Sequence, residues 1–301
     1  RMLLATGNAR YTDVLEQALY NSVLSGVSLD GNRYFYTNPL RASRNFPYTL
    51  RWAGGRKEYI SLSNCCPPNL ARTIAEVADY MYCVNDKGLW LNLYGGNTLK
   101  TRLAAGRIHL EEETEYPWNG KVTLTVHEAP AKAVSVFLRI PGWCHGAGLQ
   151  VNGRTAPLSP VNGYAELHRT WKTGDVITLN LPMPAVLIES NPLVEETRGQ
   201  IAVRRGPVVY CLESPDLAAG ETVGQVAIPA TAVFHPTPMM IGNSHFEALT
   251  GNAMLLPASN GRLYQELSKT PPKTISIKLI PYYAWANRGP SDMSVWLDLV
   301  R

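Results

Sequence analysis

Around Lys87 the apolar residues of this chain change their spacing, and that change limits the fold more than any other feature. Before it, Tyr11, Val14, Leu15, Ala18 and Leu19 recur at helical intervals, as do Leu70, Ile74, Val77, Ala78 and Met81. After it come short runs rich in β-branched and aromatic residues, bounded by Gly, Pro or Asn: Trp90 to Tyr94, Val122 to Val126, Val134 to Ile140 and Val176 to Leu181. Asn152-Gly153 carries the signal of a tight hairpin. A second β-rich block starts near Glu189 and includes Ile201 to Val203, Val208 to Tyr210, Ser276 to Ile280 and Val295 to Leu299. Regular short strands with turn signals predict β-sandwiches. The expected fold class is therefore a mixed α and β multidomain protein. It comprises a helical segment over 1–86, a first β-sandwich over 87–187 with the strand in 292–301 as a candidate to complete it, and a second sandwich over 188–291.

At 301 residues the length allows two or three domains, but 86 residues are too few to close a large all-α domain. Arg1 is not an initiator and the apolar pattern is already running, so the sequence is expected to start inside a longer protein. The 28 basic residues are scattered, and a net charge of +4 without a dense Lys/Arg block argues against nucleic acid as a partner. No apolar run reaches the length of a membrane span, and no signal peptide is visible. Five cysteines at irregular spacing do not form a disulfide framework. A reducing, cytoplasmic setting is the simpler expectation, with the periplasm as the alternative if a signal peptide precedes the sequence.

Cys65-Cys66-Pro67-Pro68-Asn69 sits where the second helical run begins. Proline suits a first helical turn, where its missing N–H would have no partner anyway. Two thiols at a helix N-terminus feel the positive end of the backbone dipole, which favours thiolate, the form that attacks electrophiles and binds zinc. Two other readings stand beside this one: buried cysteines that behave as small hydrophobes, and a vicinal disulfide with its strained ring.

The run Asn64 to Arg72 (NCCPPNLAR) resembles the signature of glycoside hydrolase family 127, the zinc-dependent β-L-arabinofuranosidases and their relatives. Ser28 to Leu40 (SLDGNRYFYTNPL), Leu138 to Cys144 (LRIPGWC), Leu149 to Gly153 (LQVNG) and Arg204 to Glu213 (RRGPVVYCLE) look like the same family. The resemblance implies an (α/α)6 catalytic barrel followed by two β-sandwich domains, with this chain holding the C-terminal portion of the barrel. It implies Cys65 as both nucleophile and zinc ligand, and Cys66 as a second zinc ligand. A glutamate and a cysteine from an upstream Glu-x-Cys element would complete the zinc site, and a further upstream glutamate would be the acid/base. No Glu-x-Cys occurs in the chain. The implied enzyme is a retaining glycosidase acting on an oligosaccharide or glycoside, with zinc as the cofactor. The isolated chain is expected to be inactive and to hold zinc only if other ligands are found. Homo-oligomerisation stays open.

Tyr36 lies where the family places an active-site tyrosine that contacts sugar or nucleophile. Tyr34, on the same face by alternation, is its competitor. Asn38 is a candidate for sugar hydroxyls or for a turn before Pro39. The acidic run Glu111-Glu112-Glu113 with Glu115 reads as a solvated sheet face, and Glu58 has no role fixed by its spacing. Cys83, Cys144 and Cys211 read as structural. Trp52, Trp143 and Trp171 suit sandwich cores better than sugar stacking, and the dispersed histidines form no ligand pattern. Two functions from other classes remain: a carbohydrate-binding or scaffolding module without activity, and a redox or structural zinc protein built on the thiol pair.

Overall fold

A computed structural model describes residues 1–43, the short strand Lys57–Glu58 and residues 65–301. It is a mixed α and β chain, β-rich after Lys87 as the spacing predicts. It divides into two compact units, Arg1–Leu19 with Ala71–Pro184 and Tyr20–Leu70 with Ala185–Arg301, so each unit combines part of the helical segment with one β-rich block. Among the described residues no helix is long and apolar enough to cross a membrane.

The first unit contains a four-stranded and a six-stranded sheet. In the four-stranded sheet Val134–Arg139 is buried at every position, between the antiparallel Tyr164–Arg169 and the parallel Gly88–Leu91. Burial on both faces explains why this run reads as continuously apolar rather than alternating. The six-stranded sheet is antiparallel and alternates: Ile108, Leu110, Val122, Leu124 and Val126 point inward. Its Asn152-Gly153 hairpin has both turn residues at positive φ, 51° and 74°, as this turn type requires.

Helix Met2–Thr6 ends at Gly7, whose φ of 63° supplies a left-handed C-cap. Beyond it Ala9 packs with Phe137 and Tyr164, and Leu3 and Trp90 border the cluster. Gly163 makes this approach possible, because a Cβ there would lie 2.5 Å from the Ala9 Cβ.

Helix Arg10–Gln17 does not bury the face its apolar spacing predicts. Val14 is 68% exposed, whereas Thr12 and Glu16 are buried. The reason is Arg139, fully buried, which donates to Asp13 at 2.7 Å and to Glu16. Trp143 Nε1 donates to Glu16 at 3.1 Å, and Tyr116 Oη donates to it as well. Satisfying a buried guanidinium outranks covering Val14.

The helix after the cysteine pair is also interrupted. It runs Cys66–Ala75, breaks at Glu76, resumes as Val77–Met81 and passes into strand Tyr82–Asn85. Asn92 fixes this end: its N–H donates to the Met81 carbonyl at 2.8 Å and its side-chain amide donates to Cys83 Sγ at 3.2 Å. Ile74 is exposed, so the apolar stripe of this helix is only partly covered.

In the second unit Gln200–Arg205 changes partner along one edge. It pairs first with Leu297–Val300 and then with Val208–Glu213. The pairing circuit continues through Val226–Pro229, Ser244–Leu255 and Lys273–Pro281, closing a ring of six strands. The terminal strand thus lies in the second β-rich block and does not complete the first. Its partners are Gln200–Arg205 and, in parallel, Val226–Pro229. Its alternation shows a half-buried strand but cannot encode which neighbour it joins. Arg41–Ala42, from the helical segment, adds itself to the sheet by pairing with Met293–Ser294.

The acidic run also departs from expectation. Alternation sends Glu112 inward, where it is buried and accepts from the Gly95 N–H and Tyr82 Oη, each at 2.9 Å. Burial outweighs these hydrogen bonds and pushes its carboxyl up from 4.5 to about 7. Folding then takes up a proton between those values, so the favourable contribution is complete below pH 4.5 and is lost as pH rises through about 7. Unfolding free energy of the wild type is expected to fall by on the order of 3 kcal/mol across that window, and Glu112→Gln to flatten the slope. Urea titrations at a series of pH values measure both.

Candidate active site

The paired cysteines stand at the start of helix Cys66–Ala75, with Pro67 and Pro68 in its first turn. Asn69 donates to the Cys65 carbonyl twice, from its backbone N–H at 3.1 Å and from its side-chain amide at 2.8 Å. These bonds hold Cys65 at the helix mouth. Gly26 packs beside the same turn; a Cβ on it would sit 3.6 Å from the Leu70 methyls. Cys65 is exposed, Cys66 is half-buried and neither is in a disulfide.

Their sulfurs lie 3.6 Å apart. That is too long for a disulfide, whose bond is about 2.05 Å. Two sulfurs bound to one tetrahedral zinc at about 2.3 Å lie about 3.8 Å apart, so the pair suits adjacent corners of one coordination sphere. Among the described residues no group of three or more His, Cys, Asp or Glu side chains could hold a metal. Two corners would have to be filled by other groups.

The other thiols differ in setting. Burial pushes the Cys144 thiol up to about 11 and the Cys211 thiol well above its ordinary value. Cys83 accepts from Asn92. All three fit the structural role expected of them.

Tyr34 and Tyr36 separate clearly. Tyr34 is 1% exposed and belongs to the core, whereas Tyr36 is half-buried. Phe35 between them stacks on Trp285, with ring centroids 4.6 Å apart and planes 8° apart. The Asn38 side-chain amide donates to the Ser22 carbonyl at 2.9 Å, a local structural bond. Trp143 and Trp171 are likewise structural: Trp143 donates to Glu16 and Trp171 to the Val134 carbonyl. Trp52, Asn64, the side chain of Glu58 and the Gly54-Gly55 stretch lie outside the described residues.

Sequence reasoning missed the buried charges of Glu16, Asp175, Glu112, Arg139 and Glu213. The last is fully buried and ion-paired to Arg288 at 2.7 Å. Alternation could have placed Glu112 inward, and the LRIPGWC and RRGPVVYCLE stretches contain Arg139 and Glu213. Arg139 and Glu213 find partners far along the chain, 126 residues away for Asp13 and 75 for Arg288, with no local signal.

Three family models match consecutive parts of the chain. They are described as β-L-arabinofuranosidase, GH127 catalytic domain over residues 1–79; β-L-arabinofuranosidase, GH127 middle domain over 88–183; and glycoside hydrolase family 127 C-terminal domain over 185–298. A non-reducing end β-L-arabinofuranosidase of Bifidobacterium longum subsp. longum is 32% identical over 98% of the chain and 46% of its own length. Among solved structures, a protein described as a glycoside hydrolase is 49% identical with a TM-score of 0.96, covering the whole chain and 50% of its own. The family 127 β-L-arabinofuranosidase of Geobacillus stearothermophilus T6 is 36% identical with a TM-score of 0.91, covering the whole chain and 48% of its own. The chain thus spans about half the length of the relatives it matches.

Exposure makes a direct test possible. Under native conditions Cys65 and Cys66 are expected to react with a thiol-specific alkylating agent at least tenfold faster than Cys144 and Cys211, because the buried thiols must first be exposed by opening of the fold. Peptide mapping of the labelled protein against time reads the order.

Proposed function

The chain belongs to glycoside hydrolase family 127, and on that footing we propose that it forms the C-terminal half of a retaining β-L-arabinofuranosidase-like glycosidase whose nucleophile is Cys65. In this reading residues 1–86 are the closing part of an (α/α)6 barrel, and the two β-rich blocks are its accompanying β-sandwiches. The observation that supports the proposal is the pair of adjacent, disulfide-free thiols, 3.6 Å apart at an exposed helix start, inside the stretch matched by the catalytic-domain model.

A retaining glycosidase ordinarily pairs a nucleophilic carboxylate with an acid/base carboxyl. A thiolate can take the first role if its proton is removed and its position fixed. Cys65 and Cys66 are proposed zinc ligands, and zinc supplies deprotonation of both thiols when bound. The positive end of helix Cys66–Ala75 favours thiolate in the same direction, by about 1 kcal/mol.

Cys65 Sγ attacks the anomeric carbon, forming a carbon–sulfur bond as the bond to the leaving oxygen breaks. That oxygen takes its proton from an acid/base carboxyl. Water then attacks the same carbon, gives its proton to the now ionised carboxylate and releases the Cys65 thiolate. Two inversions give net retention. Tyr36 is the proposed contact to the sugar or to the nucleophile. The acid/base and the two remaining zinc ligands are assigned to polypeptide outside residues 1–301.

Losing general acid/base catalysis alone costs about 10²–10⁴-fold. Residues 1–301 by themselves are therefore expected to cleave p-nitrophenyl β-L-arabinofuranoside at least about a hundredfold more slowly than the same chain joined to the missing half of a family 127 enzyme. In the joined form Cys65→Ser should abolish turnover. Robust hydrolysis by residues 1–301 alone would refute the incomplete site, and an active Cys65→Ser variant would refute the thiolate mechanism.

A further inference from the structure

The stretch 28–42, which carries Tyr36, has little regular structure of its own. Its elements are an Asp30-Gly31 turn and the two-residue strands Arg33–Tyr34 and Arg41–Ala42. A single loop of the second β-rich block, 282–295, touches it at both ends and in the middle. Asn287 Oδ1 accepts from the Leu29 N–H at 3.0 Å. Trp285 stacks on Phe35, the residue beside Tyr36. Tyr282 Oη donates to the Pro39 carbonyl at 2.9 Å, and the Val295 N–H donates to the Leu40 carbonyl at 2.9 Å. Met293–Ser294 then pairs with Arg41–Ala42.

The loop is itself pinned from below. Ala286 has a φ of 55°, a left-handed conformation that costs a residue with a side chain. Its N–H donates to Glu213 Oε1 at 2.7 Å. Ser291 Oγ donates to the same oxygen at 2.7 Å, while Arg288 donates to Glu213 Oε2 at 2.7 Å and to Asp216 Oδ1 at 2.9 Å. A carboxylate with no access to water therefore organises a loop whose outer side grips 28–42. An element held in an unfavourable conformation by buried charge is more than is needed to cover a sheet edge.

We propose that loop 282–295 is a positioning clasp for the reaction site: Trp285, through Phe35, and Arg288 with Glu213, through the loop, set where Tyr36 stands. The placement of Tyr36 at the reaction site rests on the functional reading above; the clasp itself does not. Trp285 and Arg288 are positioning residues and touch no reacting atom.

Hydrogen exchange on the full 301-residue chain, combined with ¹⁹F NMR of 3-fluorotyrosine at position 36, tests this. Trp285→Ala is expected to raise exchange over 28–42 at least tenfold and to move the position-36 signal toward its value in denaturant. The strands Ser244–Leu255 and Lys273–Pro281 should keep their protection. Trp285→Phe, which keeps a ring against Phe35, should restore both readouts. If Trp285→Ala fails to fold, Asn287→Ala takes its place, and exchange at Leu29 and its neighbours should rise at least fivefold. Unchanged exchange over 28–42 and an unchanged fluorine signal in the folded variant overturn the proposal, as does failure of Trp285→Phe to restore them. An unaltered KM for Tyr36→Phe in the joined enzyme would instead remove Tyr36 from the sugar site and leave the clasp standing.

Discussion

A guanidinium with no access to water decides how the first unit is assembled. Arg139 is the last residue of a strand buried at every position, and its charge can be tolerated there only if anions come to it. Asp13 and Glu16 do so, from one face of helix Arg10–Gln17. Burial disfavours the charge on Arg139, but Glu16 more than offsets this and holds the guanidinium above its ordinary pKa. Such a pair adds little net stability, because desolvation consumes most of the Coulombic gain; removing one partner costs about 3–5 kcal/mol. Its value is registry. Only one rotation of the helix presents Asp13 and Glu16 to Arg139, and that rotation leaves Val14 in water.

The second unit uses the same physics with the sign reversed. There the fully buried charge is Glu213, and Arg288 comes to it on a loop. Both buried charges sit on strands, while their partners lie on a helix in one unit and a loop in the other. In each unit a β-rich block fixes a piece of the helical segment that would have little reason to stay put alone. Helix Arg10–Gln17 is held through Arg139, and the stretch around Tyr36 through loop 282–295. The β-rich blocks therefore do structural work for the segment that carries the proposed nucleophile.

The legibility of the chain in its sequence follows this division. Features settled by neighbours in sequence were readable: the Asn152-Gly153 hairpin, the alternating strands such as Lys121–Glu128, and the helix start at Pro67-Pro68. The cysteine pair was readable because prolines and a helix start are local signals. Features settled by distant partners were not. Apolar spacing in Tyr11 to Leu19 misassigned the buried face, because nothing near Glu16 announces an arginine 123 residues away. The terminal strand Leu297–Val300 was readable as a strand but not as a neighbour of Gln200–Arg205. Glu112 reads as one solvated face with its neighbours, although alternation turns it inward. Tyr36 and Tyr34 could not be separated by pattern, since both lie on one face; burial separates them. Part of the chemistry was illegible for a simpler reason, namely that no Glu-x-Cys element occurs among these residues.

The central claim is that Cys65 and Cys66 together hold one zinc ion as thiolates, which gives the adjacent thiols their chemical meaning. X-ray absorption at the zinc edge of the zinc-loaded enzyme, residues 1–301 joined to the missing half, tests it most directly. The expected result is sulfur scattering at about 2.3 Å, with the sulfur contribution reduced by two ligands in the Cys65→Ser/Cys66→Ser double variant. A zinc environment made only of nitrogen and oxygen, or a sulfur contribution unchanged in the double variant, would contradict the claim.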